Sequence, residues 1–123
     1  YLITPEGIFQ ISRDHSVVEN MVAKGDLTPL EARTHPNRNL ITRALGPDIH
    51  AKADAFELPW HKDEFLLLCS DGLVNTVSDQ EMLFEVLHDG DVNECLDHLL
   101  QISLQRGAPD NITAVLLLNE EGR

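Results

Sequence analysis

Two aspartates border the two most apolar runs of this 123-residue sequence and are its strongest candidates for chemistry. Asp71 follows the apolar run 65–69 within the motif Ser-Asp-Gly, and Asp110 precedes the apolar run 112–118. A carboxylate at the mouth of a buried strand costs free energy unless a positive group meets it. If the two strands are neighbours with matching ends, the carboxylates converge, and a divalent cation would satisfy both.

The ligand chemistry of this pair favours Mg²⁺ or Mn²⁺ over zinc, because both ligands are hard oxygens with no His or Cys nearby in the sequence. A magnesium ion usually keeps several waters, and one of them could act as a nucleophile. Each motif is weak by itself, because Ser-Asp-Gly and Asp-Asn are also common turn sequences. The two together are the stronger signal, since each aspartate borders a strand expected to lie centrally in a sheet.

A second group of candidates is a cluster of arginines, Arg33, Arg38 and Arg43, in an otherwise acidic protein. Guanidinium groups match the geometry of phosphate, so these side chains could contact a phosphorylated substrate. The alternative, that Arg38 and Arg43 pair with nearby acids, is equally open. The tripeptide 14–16, Asp-His-Ser, is not a hydrolase triad, because triad members meet in space rather than at consecutive positions.

The composition excludes several classes of function. Nine Lys and Arg against 21 Asp and Glu give a net charge of -12, which argues against binding nucleic acid or an anionic membrane surface. The sequence contains no apolar run near the length of a membrane span. Cys69 and Cys95 form no disulfide framework, so a reducing cytoplasm is the expected compartment.

The elements expected to position these residues are strands and helices in comparable numbers, with an antiparallel sheet and layered helices, an α+β class. Four capping motifs predict helices that begin after Ser16, Thr28, Ser78 and Asp91. Period-two and continuous apolar patterns predict a hairpin and four further strands: residues 1–11, 40–45, 51–58, 65–69 and 112–118. We expect the strand 65–69 to be central and covered on both faces.

Several segments together resemble bacterial protein phosphatase 2C-type (PPM) serine/threonine phosphatases. The similarity covers nearly the whole chain, in order and with compatible spacing. The matching segments are Asp14-His15-Ser16, Gly25 with Leu27-Thr28, His35-Pro36-Asn37-Arg38-Asn39-Leu40-Ile41-Thr42-Arg43-Ala44-Leu45-Gly46, Leu67-Leu68-Cys69-Ser70-Asp71-Gly72-Leu73 and Gly107-Ala108-Pro109-Asp110-Asn111-Ile112-Thr113.

The resemblance implies a four-layer α-β-β-α sandwich with two antiparallel sheets. It implies Mn²⁺ or Mg²⁺ ions that activate a water to attack phosphoserine or phosphothreonine in proteins, with Asp71 and Asp110 as metal ligands. Residues 14–46 would form a flap beside the active site, in which Arg38, Asn39 and Arg43 are candidate substrate contacts. Phosphorylated proteins, and a cognate serine/threonine kinase that the enzyme opposes, are the implied partners.

The chain departs from the family pattern at its N-terminal end. The family's phosphate-binding Arg, its early acidic metal motif, its metal-bridging Asp-Gly motif and its Gly-Asp-Ser-Arg segment have no counterpart here. Residues 1–123 are therefore expected to be the C-terminal part of a single phosphatase domain whose N-terminal half is missing. By themselves they should hydrolyse little phosphate ester.

Two other functions compete with the enzyme. One is a non-catalytic phosphatase-like module that binds phosphoproteins or a kinase, but intact metal motifs at Asp71 and Asp110 favour the enzyme. The other is a phosphoacceptor domain with Asp71 as acceptor. That domain would require further acids at an earlier strand end and a later lysine, and no lysine follows Lys62.

Overall fold

The computed structural model describes residues 1–108 and 110–121, which fall into two compact units. The sheet unit comprises Tyr1–Ile11 and Leu58–Arg123, and the insert unit comprises Ser12–Glu57. The elements in chain order are β1 (Leu2–Thr4), β2 (Gly7–Phe9), α1 (Val17–Ala23), α2 (Pro29–Thr34), β3 (Phe65–Cys69), α3 (Asp71–Val74), α4 (Asp79–His88), α5 (Val92–Gln105) and β4 (Ala114–Leu118).

The sheet unit contains one four-stranded sheet in the order β2-β1-β3-β4, and all neighbouring strands are antiparallel. The predicted N-terminal hairpin is confirmed, since Leu2 pairs with Phe9. The predicted interior place of the strand 65–69 is also confirmed, because β3 lies between β1 and β4. Its pairing with β4 runs from Phe65 opposite Leu118 to Cys69 opposite Ala114.

The two faces of this sheet differ, and the expectation that β3 is covered on both is wrong. Leu67 is 2% exposed, whereas the next residue, Leu68, is 55% exposed. Successive side chains of a strand point to opposite faces, and α4 and α5 pack on the Leu67 face. The buried cluster on that inner face comprises Ile3, Leu67, Leu73, Val77, Met82, Val86, Cys95, Leu99 and Leu116.

The two longer helices of the sheet unit, α4 and α5, begin where the capping motifs predict. Ser78 accepts from the backbone N–H of Glu81 at 3.3 Å, and the Glu81 carboxylate accepts from the Ser78 N–H at 2.8 Å. Asp91 accepts from the N–H of Asn93 at 2.7 Å and begins α5. Gly107, at φ +94°, lies just past the end of α5, where a left-handed residue commonly terminates a helix. Among the described residues, no helix has the length and apolarity of a membrane span.

The insert unit confirms the predicted helices and contradicts the predicted strands. Thr28 and Glu31 form a reciprocal capping box at the start of α2. Residues 40–45 form only an isolated bridge, between Ile41 and Ser16, and residues 51–58 lack regular structure. The alanines at alternate positions in 51–55 are weak strand formers that bury little apolar area, and Leu45 is 87% exposed. The pattern therefore had the strand period without the side chains that stabilise a sheet.

Candidate metal centre

Asp71 follows β3 and begins α3. Ser70 has extended backbone angles at the N-cap position, and the chain turns there directly into the helix. This short helix was not predicted, because four residues carry no periodicity that a sequence pattern can detect. Asp71 is exposed.

Hydrogen bonds join this strand end to the segment that carries Asp110. The N–H of Ser70 donates to the carbonyl of Thr113 at 2.9 Å, and the N–H of Thr113 donates to Ser70 Oγ at 3.0 Å. Ser70 Oγ also donates to the carbonyl of Asn111 at 3.4 Å. The end of β3 and the entry to β4 therefore meet at one end of the antiparallel pair, which satisfies the condition set for convergence of the two carboxylates.

Gly72 makes this close approach possible. A Cβ built at this position would overlap the carbonyl oxygen of Asn111 and lie 3.3 Å from Cγ1 of Ile112. Any larger residue must displace the loop that enters β4. The glycine of the Ser-Asp-Gly motif is thus required by packing between the two aspartate-bearing segments, and not by an unusual φ.

The donor set at this end of the sheet fits a hard divalent cation. Asp110 is exposed, and its Oδ1 accepts from the N–H of Asn111 at 2.7 Å, which fixes the orientation of the carboxylate. With Asp71 it offers oxygen ligands only, the type preferred by Mg²⁺ and Mn²⁺. Two carboxylates occupy a minority of an octahedral coordination sphere, so further ligands must be waters or other groups. The role of these aspartates as metal ligands stays a prediction.

The candidate substrate contacts all lie in the insert unit. Arg43 Nη1 is 2.9 Å from Asp54 Oδ1, so for Arg43 the alternative of pairing with a nearby acid is correct. Arg38 Nη1 donates to the backbone carbonyl of His35 at 3.4 Å, and Asn39 is exposed. Arg38 and Asn39 are therefore the more accessible members of the predicted group.

Two clusters of side chains were not predicted. In the insert unit, Asp54 Oδ2 lies 2.9 Å from His15 Nε2. The hydrogen bond from His15, and then that from Arg43, holds the pKa of Asp54 below its ordinary value. These residues are up to 39 positions apart. No local sequence signal connects them.

The second unpredicted cluster lies in the sheet unit between α4 and α5. His98 Nδ1 is 2.9 Å from Asp89 Oδ2 and 3.4 Å from Glu85 Oε2. One signal was present in the sequence, because Glu85 and Asp89 are four residues apart and so share a helix face. The facing position of His98 depends on how the two helices pack.

Comparisons with known proteins identify phosphatases, although no family model matches the chain. The chain is 33% identical over 126 residues to the serine/threonine phosphatase stp of Listeria monocytogenes serotype 4b, covering 100% of this chain and 50% of the relative. It is 38% identical over 117 residues to the serine/threonine protein phosphatase PstP of Mycobacterium tuberculosis, covering 94% of this chain and 22% of the relative.

Solved structures agree with the sequence relatives. The serine/threonine phosphatase Stp1 of Staphylococcus aureus matches with a TM-score of 0.89 at 38% identity, over 98% of this chain and 47% of that one. The PPM Ser-Thr phosphatase MsPP of Mycobacterium smegmatis, in complex with cacodylate, matches with a TM-score of 0.87 at 32% identity, over 98% and 51%. The catalytic domain of PstP, in complex with two manganese ions, matches with a TM-score of 0.75 at 35% identity, over 94% and 47%.

These similarities extend along essentially the whole chain, and they are found in sequence and in fold independently. The chain spans about half the length of the Listeria relative and of the matched structures. The chain is therefore similar, along its whole length, to part of the bacterial serine/threonine phosphatases of the PPM family.

Proposed function

We propose that this chain is part of a metal-dependent enzyme that hydrolyses phosphoserine and phosphothreonine in proteins. The observation that carries the proposal is the pairing of Ser70 with Thr113, which brings the segments bearing Asp71 and Asp110 to one end of the sheet. The similarity to proteins named serine/threonine phosphatases supports the same reaction. The manganese in the related PstP structure supports the choice of Mn²⁺ or Mg²⁺ as cofactor.

The residues of this chain would bind and orient the ion. Asp71 would contribute a carboxylate from the rigid first turn of α3. Asp110 would contribute Oδ2, because its Oδ1 accepts from the N–H of Asn111. The ion, when bound, would supply Lewis-acid chemistry that activates water for attack on a phosphate ester.

The outer face of the sheet suggests how the whole domain is built. Leu68, Val115 and Leu117 are 55%, 49% and 43% exposed, although they belong to interior or paired strands. Strand alternation and the register assign one set of apolar side chains to this face: Leu2, Phe9, Leu66, Leu68, Val115 and Leu117. In the proposed four-layer sandwich, a second antiparallel sheet covers them.

The insert unit is proposed to contain the flap, at residues 14–46, that contacts phosphorylated proteins. Arg38 and Asn39 are the preferred contacts, because Arg43 would first have to leave Asp54. A serine/threonine kinase whose products this enzyme dephosphorylates is the proposed functional counterpart. Neither Cys69 nor Cys95 is in a disulfide, which supports a reducing compartment such as the cytoplasm.

The metal assignment is tested by calorimetric titration of Mn²⁺ into the 123-residue chain. We expect Asp71→Asn and Asp110→Asn each to weaken binding by about tenfold or more, since each removes one of two ligands. Asp97→Asn is the matched control, because it removes an exposed carboxylate on α5 and leaves the strand ends unchanged. Equal affinity in all four proteins would show that the site assignment is wrong.

The enzymatic assignment is tested on the full-length gene product with a phosphothreonine peptide and Mn²⁺. We expect turnover that Asp71→Asn lowers by about tenfold or more while Asp97→Asn leaves it unchanged. The 123 residues alone should turn over little peptide, because the phosphate-binding Arg and the metal-bridging Asp of the family pattern have no counterpart in them. A full-length protein that binds the peptide without hydrolysing it would instead be the non-catalytic module.

A further inference from the structure

Three side chains meet across the packed surfaces of α4 and α5, in the sheet unit. Glu85 lies in the last turn of α4, Asp89 is the residue that caps the C-terminal end of that helix, and His98 faces them from α5. One ligand atom from each residue lies within 4.8 Å of the other two. Side chains from two rigid, packed helices hold such an arrangement more precisely than side chains from loops.

We propose that Glu85, Asp89 and His98 form a binding site for a divalent transition metal, with Zn²⁺ preferred over Mg²⁺ and Mn²⁺. One imidazole nitrogen and two carboxylate oxygens are a ligand set that zinc accepts. An imidazole ligand also favours zinc over the hard cations that an all-oxygen set selects. The site is therefore chemically different from the pair formed by Asp71 and Asp110.

The distances within the cluster match those between ligands of one metal ion. With metal–ligand bonds of about 2.1 Å, neighbouring ligand atoms are about 3.0 Å apart in an octahedron and about 3.4 Å apart in a tetrahedron. His98 Nδ1 is 2.9 Å from Asp89 Oδ2 and 3.4 Å from Glu85 Oε2. The two separations from His98 therefore suit ligands of one ion, and the third separation, between the oxygens of Glu85 and Asp89, is within 4.8 Å.

The surroundings of the cluster favour a cation. The side chains of Asp89 and Glu85 are only 17% and 21% exposed, so their negative charges are partly withdrawn from water. Their charge also reaches Cys95 in the core. Burial, and then the charges of Asp89 and Glu85, raise the pKa of the Cys95 thiol to about 12.

Of the three residues, Asp89 also borders a pocket. The pocket has a volume of ≈ 250 Å³, and Asp89 forms part of its wall together with Phe65, Val92, Cys95 and Leu118. Water in this pocket can therefore reach Asp89. Phe65 and Leu118 lie at one end of the β3–β4 pair, and Ser70 and Thr113 lie at the other end. The length of the strands, roughly 13 Å, separates the pocket from the end that bears Asp71.

The same geometry also suits a protonated His98 paired with both carboxylates. The hydrogen bond to Asp89 raises the pKa of His98, so a proton competes with the metal for Nδ1. The experiment must therefore detect the metal itself. It must also separate loss of a ligand from loss of a surface charge.

The test is calorimetric titration of Zn²⁺ into the 123-residue chain, with Co²⁺ absorption spectra as a second readout of imidazole ligation. We expect His98→Gln to weaken Zn²⁺ binding about tenfold or more and to abolish the Co²⁺ band. Glu85→Gln should weaken the binding in the same direction. His98 is 55% exposed, so its replacement should leave the fold intact, which a thermal melt verifies.

Two variants serve as controls. His88→Gln removes the histidine that stacks on Phe84 at the end of α4, outside the cluster, and should bind Zn²⁺ as the wild type does. Asp71→Asn should likewise leave the His98-dependent Co²⁺ band unchanged. Equal Zn²⁺ affinity in His98→Gln and wild type, or no wild-type binding at millimolar zinc, would overturn the proposal.

Discussion

The two units of this chain are stabilised by different kinds of interaction. The sheet unit buries a contiguous apolar cluster, in which Leu67, Met82 and Leu99 are 2% exposed or less. Within residues 12–57, all of which the structure describes, Ser16 and Val18 are the buried residues. That unit instead relies on helix caps and on exposed polar contacts around Asp54.

These two kinds of interaction predict which perturbations should destabilise each unit. Burial of apolar area depends little on pH or salt, and its loss leaves a cavity that the surroundings fill only in part. Exposed ion pairs contribute little individually, are screened by salt, and disappear when a partner loses its charge. The sheet unit should therefore respond to truncation of its core, and the insert unit to pH and ionic strength.

The largest effect is expected from Leu67→Ala in the 123-residue chain. The side chain lies on the covered face of β3, and its truncation should lower the free energy of unfolding by about 2–5 kcal/mol. Leu68→Ala is the matched control, since it makes the same chemical change one residue along, on the face where the side chain is 55% exposed. Urea unfolding followed by circular dichroism measures both. Similar losses in the two variants would contradict the one-sided burial of this strand.

A smaller effect is expected from an exposed ion pair of the sheet unit in which two hydrogen bonds join the partners. Arg106 donates to both Glu81 oxygens, at 2.6 and 2.8 Å, and to the carbonyl of Thr76 at 2.7 Å. The hydrogen bonds from Arg106, and then from the Ser78 N–H, lower the pKa of Glu81 to about 2. Because the folded pKa lies below the ordinary value, the stabilisation is complete above about pH 4.5 and is lost as the pH falls toward 2.

The variant Arg106→Gln tests this pair. At neutral pH we expect a small loss of stability, because both side chains are more than a third exposed. The loss should shrink as the pH falls from about 4.5 toward 2, since the unfolded chain takes up a proton at Glu81 before the folded wild type does. Urea midpoints at several pH values measure it. A difference that stays constant down to pH 2 would mean that Arg106 acts through Thr76 rather than through Glu81.

Sequence patterns predicted the elements whose causes are local. The caps at Thr28 and Ser78 and the apolar run of β3 each depend on residues within one turn or one strand, so the sequence reveals them. Residues 40–58 show the limit, because a strand exists only if a neighbouring strand pairs with it. The pairing of Arg43 with Asp54, and of Asp89 with His98, depends on how separate segments meet, which no local pattern encodes.

For the proposed metal centre, sequence patterns indicated which segments meet but did not reveal how closely they pack. The apolar runs beside Asp71 and Asp110 indicated neighbouring strand ends, and the register of β3 with β4 agrees. The reason for Gly72 emerged only from the fold, because the Asn111 carbonyl that excludes a Cβ is 39 residues away in sequence. Contacts between residues so far apart in the sequence are set by the pairing of strands.

The smallest and most local effect is expected from Asp54→Asn, which removes the charge shared by His15 and Arg43 in the insert unit. Global unfolding of the sheet unit should not change, but amide exchange at Thr42, whose N–H donates to the carbonyl of His15 at 2.8 Å, should become a few-fold faster. Asp48→Asn, which changes another exposed carboxylate of the same unit, is the control.

The pH dependence of this exchange follows from the pKa of Asp54, which the hydrogen bonds from His15 and Arg43 hold below its ordinary value. A lowered carboxyl pKa stabilises the contact above the ordinary value of 3.8 and less as the pH falls below it. The variant and the wild type should therefore exchange at increasingly similar rates in acid, and added salt should narrow their difference at neutral pH. If amide exchange at Thr42 changes with none of the three, neither Asp54→Asn nor added salt nor acid, the insert unit depends on its helix caps and backbone bridge rather than on these charges.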